Sequence, residues 1–203
     1  MGRTIEKFHF IFLVAGIGFF VFAFFVSGVV TVNAISDLPY TSIDEIAKDV
    51  SPYFTALATQ YPEQFEKYYP GGPTSENYKE ALLLARNTYI GEACWHCHSQ
   101  QVRPVSNEDV RFGPVSTAAE QQNELMKPQL MGTRRVGPDL AREGSGYRSN
   151  DWHAAHFYNP RSVSPTSVMP GYTWFFDEGK LPNKRGLAMI AYMQWLGSNV
   201  GQK

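Results

Sequence analysis

From Phe8 to Val32 the chain carries no Lys, Arg, Asp or Glu, and His9 is the one ionisable side chain in the run. A helix needs roughly 20 apolar residues to cross about 30 Å of hydrocarbon, so the pattern predicts a transmembrane helix over residues 8–32. Gly16, Gly18 and Gly28 fit that reading, because membrane helices tolerate glycine and use small residues for close contact with a neighbouring helix. Arg3 and Lys7 precede the run, and the next basic residue is Lys48. The positive-inside rule therefore places residues 1–7 in the cytoplasm and the rest of the chain outside. Val32-Asn33-Ala34 offers small residues where a signal peptidase cuts. The run is nevertheless well beyond the roughly 7–15 apolar residues of a signal peptide, so retention as an anchor is expected.

After the anchor the pattern changes to short helical periodicities separated by long loops. Residues 33–74 read as a connecting segment. Ser42 to Ala58 holds one short helix with Asp44 and Glu45 in its first turn, where acidic groups suit the helix dipole. Pro62 and Pro70-Gly71-Gly72-Pro73 punctuate the remainder. Packing on a partner and a surface ornament are both open uses for this stretch. Thr74-Ser75 caps a predicted helix from about Glu76 to Ala93, with Tyr78, Leu82, Ala85 and Tyr89 on one face. A second predicted helix runs from about Lys184 to Leu196 and buries Leu187, Ile190, Ala191 and Met193 or Trp195. Two shorter helical candidates lie near Ala118 and Trp152, and no alternating strand is visible. The expectation is an all-α protein: one N-terminal transmembrane helix, then a small helical domain with long loops over residues 75–203.

Charge narrows the partners. The chain has 18 basic and 19 acidic side chains, a net charge of −1. From Asn33 onward 16 basic face 18 acidic residues, leaving no basic excess for nucleic acid or an anionic membrane surface. Collagen-like, disordered and disulfide-scaffold classes are excluded by composition.

The chemistry is concentrated in Cys94-Trp95-His96-Cys97-His98, which contains both cysteines of the chain. Cys-x-x-Cys-His is the covalent haem attachment signature of c-type cytochromes. Two thiols about one helical turn apart reach the two vinyl groups of a porphyrin, and the next side chain lies beneath the iron. A dithiol redox centre also uses Cys-x-x-Cys, at a helix N-terminus, but here the pair follows a predicted helix and no βαβ pattern surrounds it. Zinc would need two further ligands, and His96 and His98 are too close together to form a separate second pair. A disulfide between such near neighbours would close a tiny loop and contribute little.

A six-coordinate haem needs a second axial ligand, commonly methionine. Met126, Met131, Met169, Met189 and Met193 follow the anchor. Met189 and Met193 sit on the closing helix and read as core. Met169 stands in Ser167-Val168-Met169-Pro170-Gly171-Tyr172, where Pro170 stiffens the loop, and is the expected ligand, with Met131 the alternative. In Gly137-Pro138-Asp139-Leu140 the Pro138 carbonyl is placed to orient His98 through its second ring nitrogen. Arg134 and Arg135 are candidates for haem propionate contacts, equally well read as a solvated basic pair. With both axial positions filled, the domain is expected to transfer electrons and to perform no bond chemistry itself. His153 and His156 lie three apart in a dense aromatic run, Asp151 to Arg161. They are read as packing groups, and the run as a haem-edge wall or a partner interface.

Several segments together resemble the membrane-anchored monohaem cytochrome c subunit (CcoO, also called FixO) of cbb3-type cytochrome c oxidases. They are Tyr89-Ile90, Cys97-His98-Ser99-Gln100 with Arg103-Pro104, Arg135-Val136-Gly137-Pro138-Asp139-Leu140-Ala141-Arg142, Asp151 to Arg161, and Met169-Pro170-Gly171-Tyr172-Thr173-Trp174. The resemblance runs from about Asn87 to Leu196, and Asp-Trp-His-x-Ala-His-x-Tyr-Asn-Pro-Arg is its most specific part. It implies a class I-like cytochrome c domain in the periplasm, anchored in the bacterial inner membrane. It implies one haem c with His98 and Met169 as axial ligands, and a catalytic subunit holding haem b and copper that reduces oxygen. A dihaem cytochrome c subunit or a soluble cytochrome c would be the electron donor. A structural calcium near the interface with the catalytic subunit is also implied, without assignable ligands. The long stretch 33–74, Ala85 in place of a usual glycine, and the bulky His96 inside the haem motif depart from the family pattern. A monohaem subunit of nitric oxide reductase and a free-standing anchored electron shuttle are the alternative functions.

Overall fold

The computed structural model describes residues 2–132, 135–146 and 148–198. The chain divides into two compact units, Met1–Pro39 and Tyr40–Lys203. Among the described residues it is all-helical, with two isolated bridges, Thr41 to Asn123 and Phe176 to Pro182, in place of any strand.

The first unit is a continuous helical rod. Helix α1 (Gly2–Phe24) passes into a π-helical turn (Phe25–Val30) and then α2 (Thr31–Ser36). The span Lys7–Ser36 is long and apolar enough to cross a membrane, 30 residues with none of its apolar window buried; at 1.5 Å per residue it measures about 45 Å. The helix therefore continues past Val32. The Ser27 hydroxyl donates to the Ala23 carbonyl where the wider π turn begins.

The second unit starts with three short helices, α3 (Ile43–Lys48), α4 (Pro52–Gln60) and α5 (Pro62–Tyr68). Each has a local reason to begin where it does. Ser42 Oγ accepts from the Glu45 amide, Ser51 Oγ accepts from the Tyr53 amide, and Pro52 and Pro62 occupy first-turn positions, where a missing N–H costs nothing. Their apolar faces turn inward. Phe54, Leu57, Phe65 and Tyr69 are completely buried. Phe54 meets Phe65, Tyr69 and Tyr78 with ring centroids 5.1, 5.8 and 5.0 Å away. Most of the stretch expected to connect anchor and domain is thus packed into the core of the second unit. Phe54→Ala should cost about 3–5 kcal/mol, the usual range for emptying a buried aromatic site. Denaturant unfolding in detergent, compared with the unaltered chain, measures it.

Helix α6 (Ser75–Gly91), capped by Thr74 Oγ1 on the Asn77 amide, buries Tyr78, Leu82, Ala85 and Tyr89 as its periodicity predicts. After the short helix α7 (Glu108–Phe112) come α8 (Asn150–Tyr158) and α9 (Lys184–Trp195); α6 packs chiefly on α9, which in turn touches α4, α5 and α8. Because neighbours surround α9, every residue from Gly186 to Trp195 is buried. The one-sided face predicted for this helix is corrected accordingly: a helix enclosed by several others has no solvent side to keep polar. Of the two short helical candidates, the one near Trp152 is α8 and the one near Ala118 is a single 3-10 turn, Ala119–Gln121. Gly144 shows how tightly α9 is held, since a Cβ there would lie 1.9 Å from the Gln194 carbonyl oxygen.

Candidate functional site

Helix α6 ends at Gly91, and Ala93 adopts a left-handed conformation (φ 56°) that turns the chain sharply into a 3-10 turn, Cys94–His96. The amides of Cys97 and His98 both donate to the Cys94 carbonyl, at 3.2 and 3.0 Å. Both thiols are free of a disulfide; Cys94 is buried and Cys97 exposed. Burial pushes the Cys94 thiol up to about 11, partly offset by a hydrogen bond with Tyr172. A dithiol redox centre needs a depressed thiol pKa, so this environment disfavours that reading.

His98 is fixed from two sides. Its Nδ1 lies 2.8 Å from the Pro138 carbonyl oxygen, and its own carbonyl accepts from the Tyr89 hydroxyl at 3.0 Å. Since a carbonyl only accepts, Nδ1 carries the proton and Nε2 keeps its lone pair for a metal. Burial lowers the His98 pKa, against the Pro138 carbonyl, which raises it. The ring lies flat on Gly137, where a Cβ would come within 2.2 Å of its Cε1; any other residue here would displace the imidazole.

The loop bearing Pro138 is clamped to the segment that follows the haem motif. The Gly137 amide donates to the Cys97 carbonyl at 3.1 Å and the Leu140 amide to the Ser99 carbonyl at 2.8 Å. The Arg135 guanidinium donates to Ser99 Oγ (3.0 Å), the Gln101 carbonyl (2.6 Å) and Asp139 (3.0 Å), and pairs with buried Glu108. Arg135 is therefore engaged within the loop and is not among the residues lining the cavity beside His98. Arg134 lies outside the described residues.

That cavity has a volume of about 300 Å³. Cys94, Cys97, His98, Pro138 and Met169 all line it, together with apolar groups that include Leu140, Phe157, Met189 and Met193. Met131 and Met126 are not on its wall, and Met131 is exposed. The Met169 loop is held by the Met169 amide donating to Ser167 Oγ (3.2 Å) and the Tyr172 amide donating to the Phe157 carbonyl (2.7 Å). Trp174 Nε1 donates to Glu92 at 3.0 Å, tying the same loop to the end of α6. The fold thus brings residues 94–98, 137–138 and 169–172 together around one space.

Sequence reasoning did not single out Glu143 or Arg148, which line the same cavity beside His153 and His156. No local pattern marks them; the packing of the Glu143–Ser145 turn and α8 on α9 brings them in. Burial first, then the charge of Arg148, lowers His153 to about 3 and His156 to about 4, so both imidazoles are neutral. Among the described residues no group of three or more His, Cys, Asp and Glu side chains is arranged to hold a metal ion.

The residues present fit a covalently held haem. They supply two unpaired thiols, an imidazole with its tautomer fixed and Nε2 free, a thioether on the same cavity, and a largely apolar wall. A comparison with curated proteins found no match. A protein-family model described as cytochrome c oxidase, mono-haem subunit/FixO, matches residues 66–184, more than half of the chain, and takes in Cys94, Cys97, His98, Pro138 and Met169. The chain belongs to the FixO family of mono-haem cytochrome c oxidase subunits.

Proposed function

We propose that this chain is the electron-relay subunit of a cbb3-type cytochrome c oxidase, passing electrons through one haem c to a catalytic subunit that holds haem b and copper and reduces oxygen to water. Family membership brings a haem and association with a catalytic oxidase subunit. The observation that carries the finer reading is the shared cavity of Cys94, Cys97, His98 and Met169. The thiols would hold the group by thioether bonds, His98 Nε2 and Met169 Sδ would ligate its iron, and Pro138 keeps the imidazole oriented. A haem so ligated supplies one-electron transfer. With both ligands supplied by the protein, the chain would relay electrons and its partner would carry out the reaction. The Lys7–Ser36 helix anchors it in the inner membrane with the haem unit in the periplasm. A dihaem cytochrome c subunit or a soluble cytochrome c delivers the electrons, and a calcium ion near the catalytic subunit belongs to the same assembly.

Purification in mild detergent, followed by a haem spectrum and subunit stoichiometry of what co-purifies, tests this. Covalent haem c together with b-type haem and copper, with oxygen uptake from reduced cytochrome c, is the expected result. Haem c with b-type haem and non-haem iron would transfer the assignment to a nitric oxide reductase. Haem c alone at one per chain would make the protein a free shuttle.

A further inference from the structure

The cavity has a charged corner that Cys94, Cys97, His98 and Met169 leave unused. Ser149 Oγ caps α8 by accepting from the Trp152 amide at 3.2 Å, and the helix then presents Trp152, His153 and His156 to the cavity. Glu143 comes from the preceding turn and makes a two-oxygen contact with Arg148 at 2.6 and 2.7 Å. The Arg148 guanidinium also lies 4.3 Å over the Trp152 ring. Among the described residues lining the cavity, Arg148 is the one Lys or Arg. His153 is 3% exposed, and its buried Nε2 has no hydrogen-bond partner, the nearest Glu143 oxygen being 3.9 Å away. Leaving such a group unmatched is costly. A polar atom orphaned beside the Glu143–Arg148 pair, in a cavity walled largely by apolar groups, fits a carboxylate on an apolar body. Haem carries two such carboxylates.

Resting on the haem reading above, we propose that Arg148 and His153 hold one haem propionate, with Glu143 positioning the Arg148 guanidinium. Arg148 contributes a positive charge and His153 an N–H from a neutral imidazole, and both favour the ionised carboxylate. The facing groups are Glu143, whose negative charge acts in the opposite sense, and the neutral His156 and His98. The held propionate therefore titrates below its twin. Arg135, already spent on Glu108, Asp139, Ser99 and Gln101, is not needed for this contact.

The test uses the full-length chain, matured on haem made from 5-aminolaevulinate carrying ¹³C at its carboxyl carbon, purified in detergent and reduced. Carbon-13 NMR then titrates the two propionates separately. Arg148→Gln and His153→Leu should each raise the pKa of the same propionate by about one unit, a tenfold change in proton affinity, and leave the other unmoved. His153→Gln, which keeps an N–H donor, should recover most of the shift. Arg148 is 42% exposed at its side chain, so its variants fold even where His153→Leu does not, and Arg148→Gln alone then decides. Two propionates that titrate as in the unaltered chain in every folded variant would overturn the proposal. An unaltered chain carrying no covalent haem would overturn the haem reading beneath it, a result the same spectrum separates from the first.

Discussion

Cys94→Ser/Cys97→Ser should yield a chain with no covalently bound haem, read as the loss of the c-type signal in an alkaline pyridine spectrum and of haem staining after denaturing electrophoresis. The effect is all-or-none because the chain has no other cysteine. The single variants should differ. Cys94 is buried against Tyr172 in the wall of the cavity, whereas Cys97 is exposed. Cys97→Ser should keep a reduced yield of singly attached haem, and Cys94→Ser should lose most of it. Equal haem content in the double variant and the unaltered chain would remove attachment from these residues altogether.

Met169→His should lower the reduction potential by some tenths of a volt, within the roughly 0.8 V range that axial ligands command. A thioether favours the ferrous state and an imidazole favours it less. Met169→Ala should go further and open the sixth position, converting the reduced haem to a carbon monoxide-binding form. Optical redox titration and carbon monoxide difference spectra read the two effects. The same substitutions at Met131, which is exposed and away from the cavity wall, should leave both unchanged. Met189 and Met193 do line the cavity but are fixed on α9, buried to 1% and 4% exposure; a potential that follows either of them would displace Met169 as ligand.

Local pattern and long-range packing divide what the sequence reveals. The membrane run is legible because nothing interrupts its apolarity, and the inner face of α6 because Tyr78, Leu82, Ala85 and Tyr89 keep strict helical spacing. The Cys94-to-His98 motif stands out because covalent haem attachment would demand a fixed spacing within five adjacent residues. Helix α9 misleads, since enclosure by α4, α5, α6 and α8 removes the polar side that would reveal which face is buried. Residues 43–69 look foldable, but nothing local says that Phe54 and Phe65 meet Tyr78 across the chain. Glu143 and Arg148 are ordinary surface residues until Gln194 Nε2 donates to the Arg148 carbonyl at 2.9 Å and the turn at Gly144 closes on α9. His153 is the intermediate case: its aromatic setting stands out in the sequence, while its unmatched Nε2 is a property of the folded cavity alone.

The early burial of Phe54, Leu57, Phe65 and Tyr69 has a practical bearing on any attempt to free the haem unit from the membrane. Homology begins at residue 66, but the compact unit begins at Tyr40. A version whose N-terminus is moved to residue 66 would expose the flank of α9 and leave Tyr78 facing an empty site, a recipe for aggregation. Cutting between Ser36 and Tyr40 instead severs the rod and spares every buried ring, so that is where a secreted, water-soluble form should start.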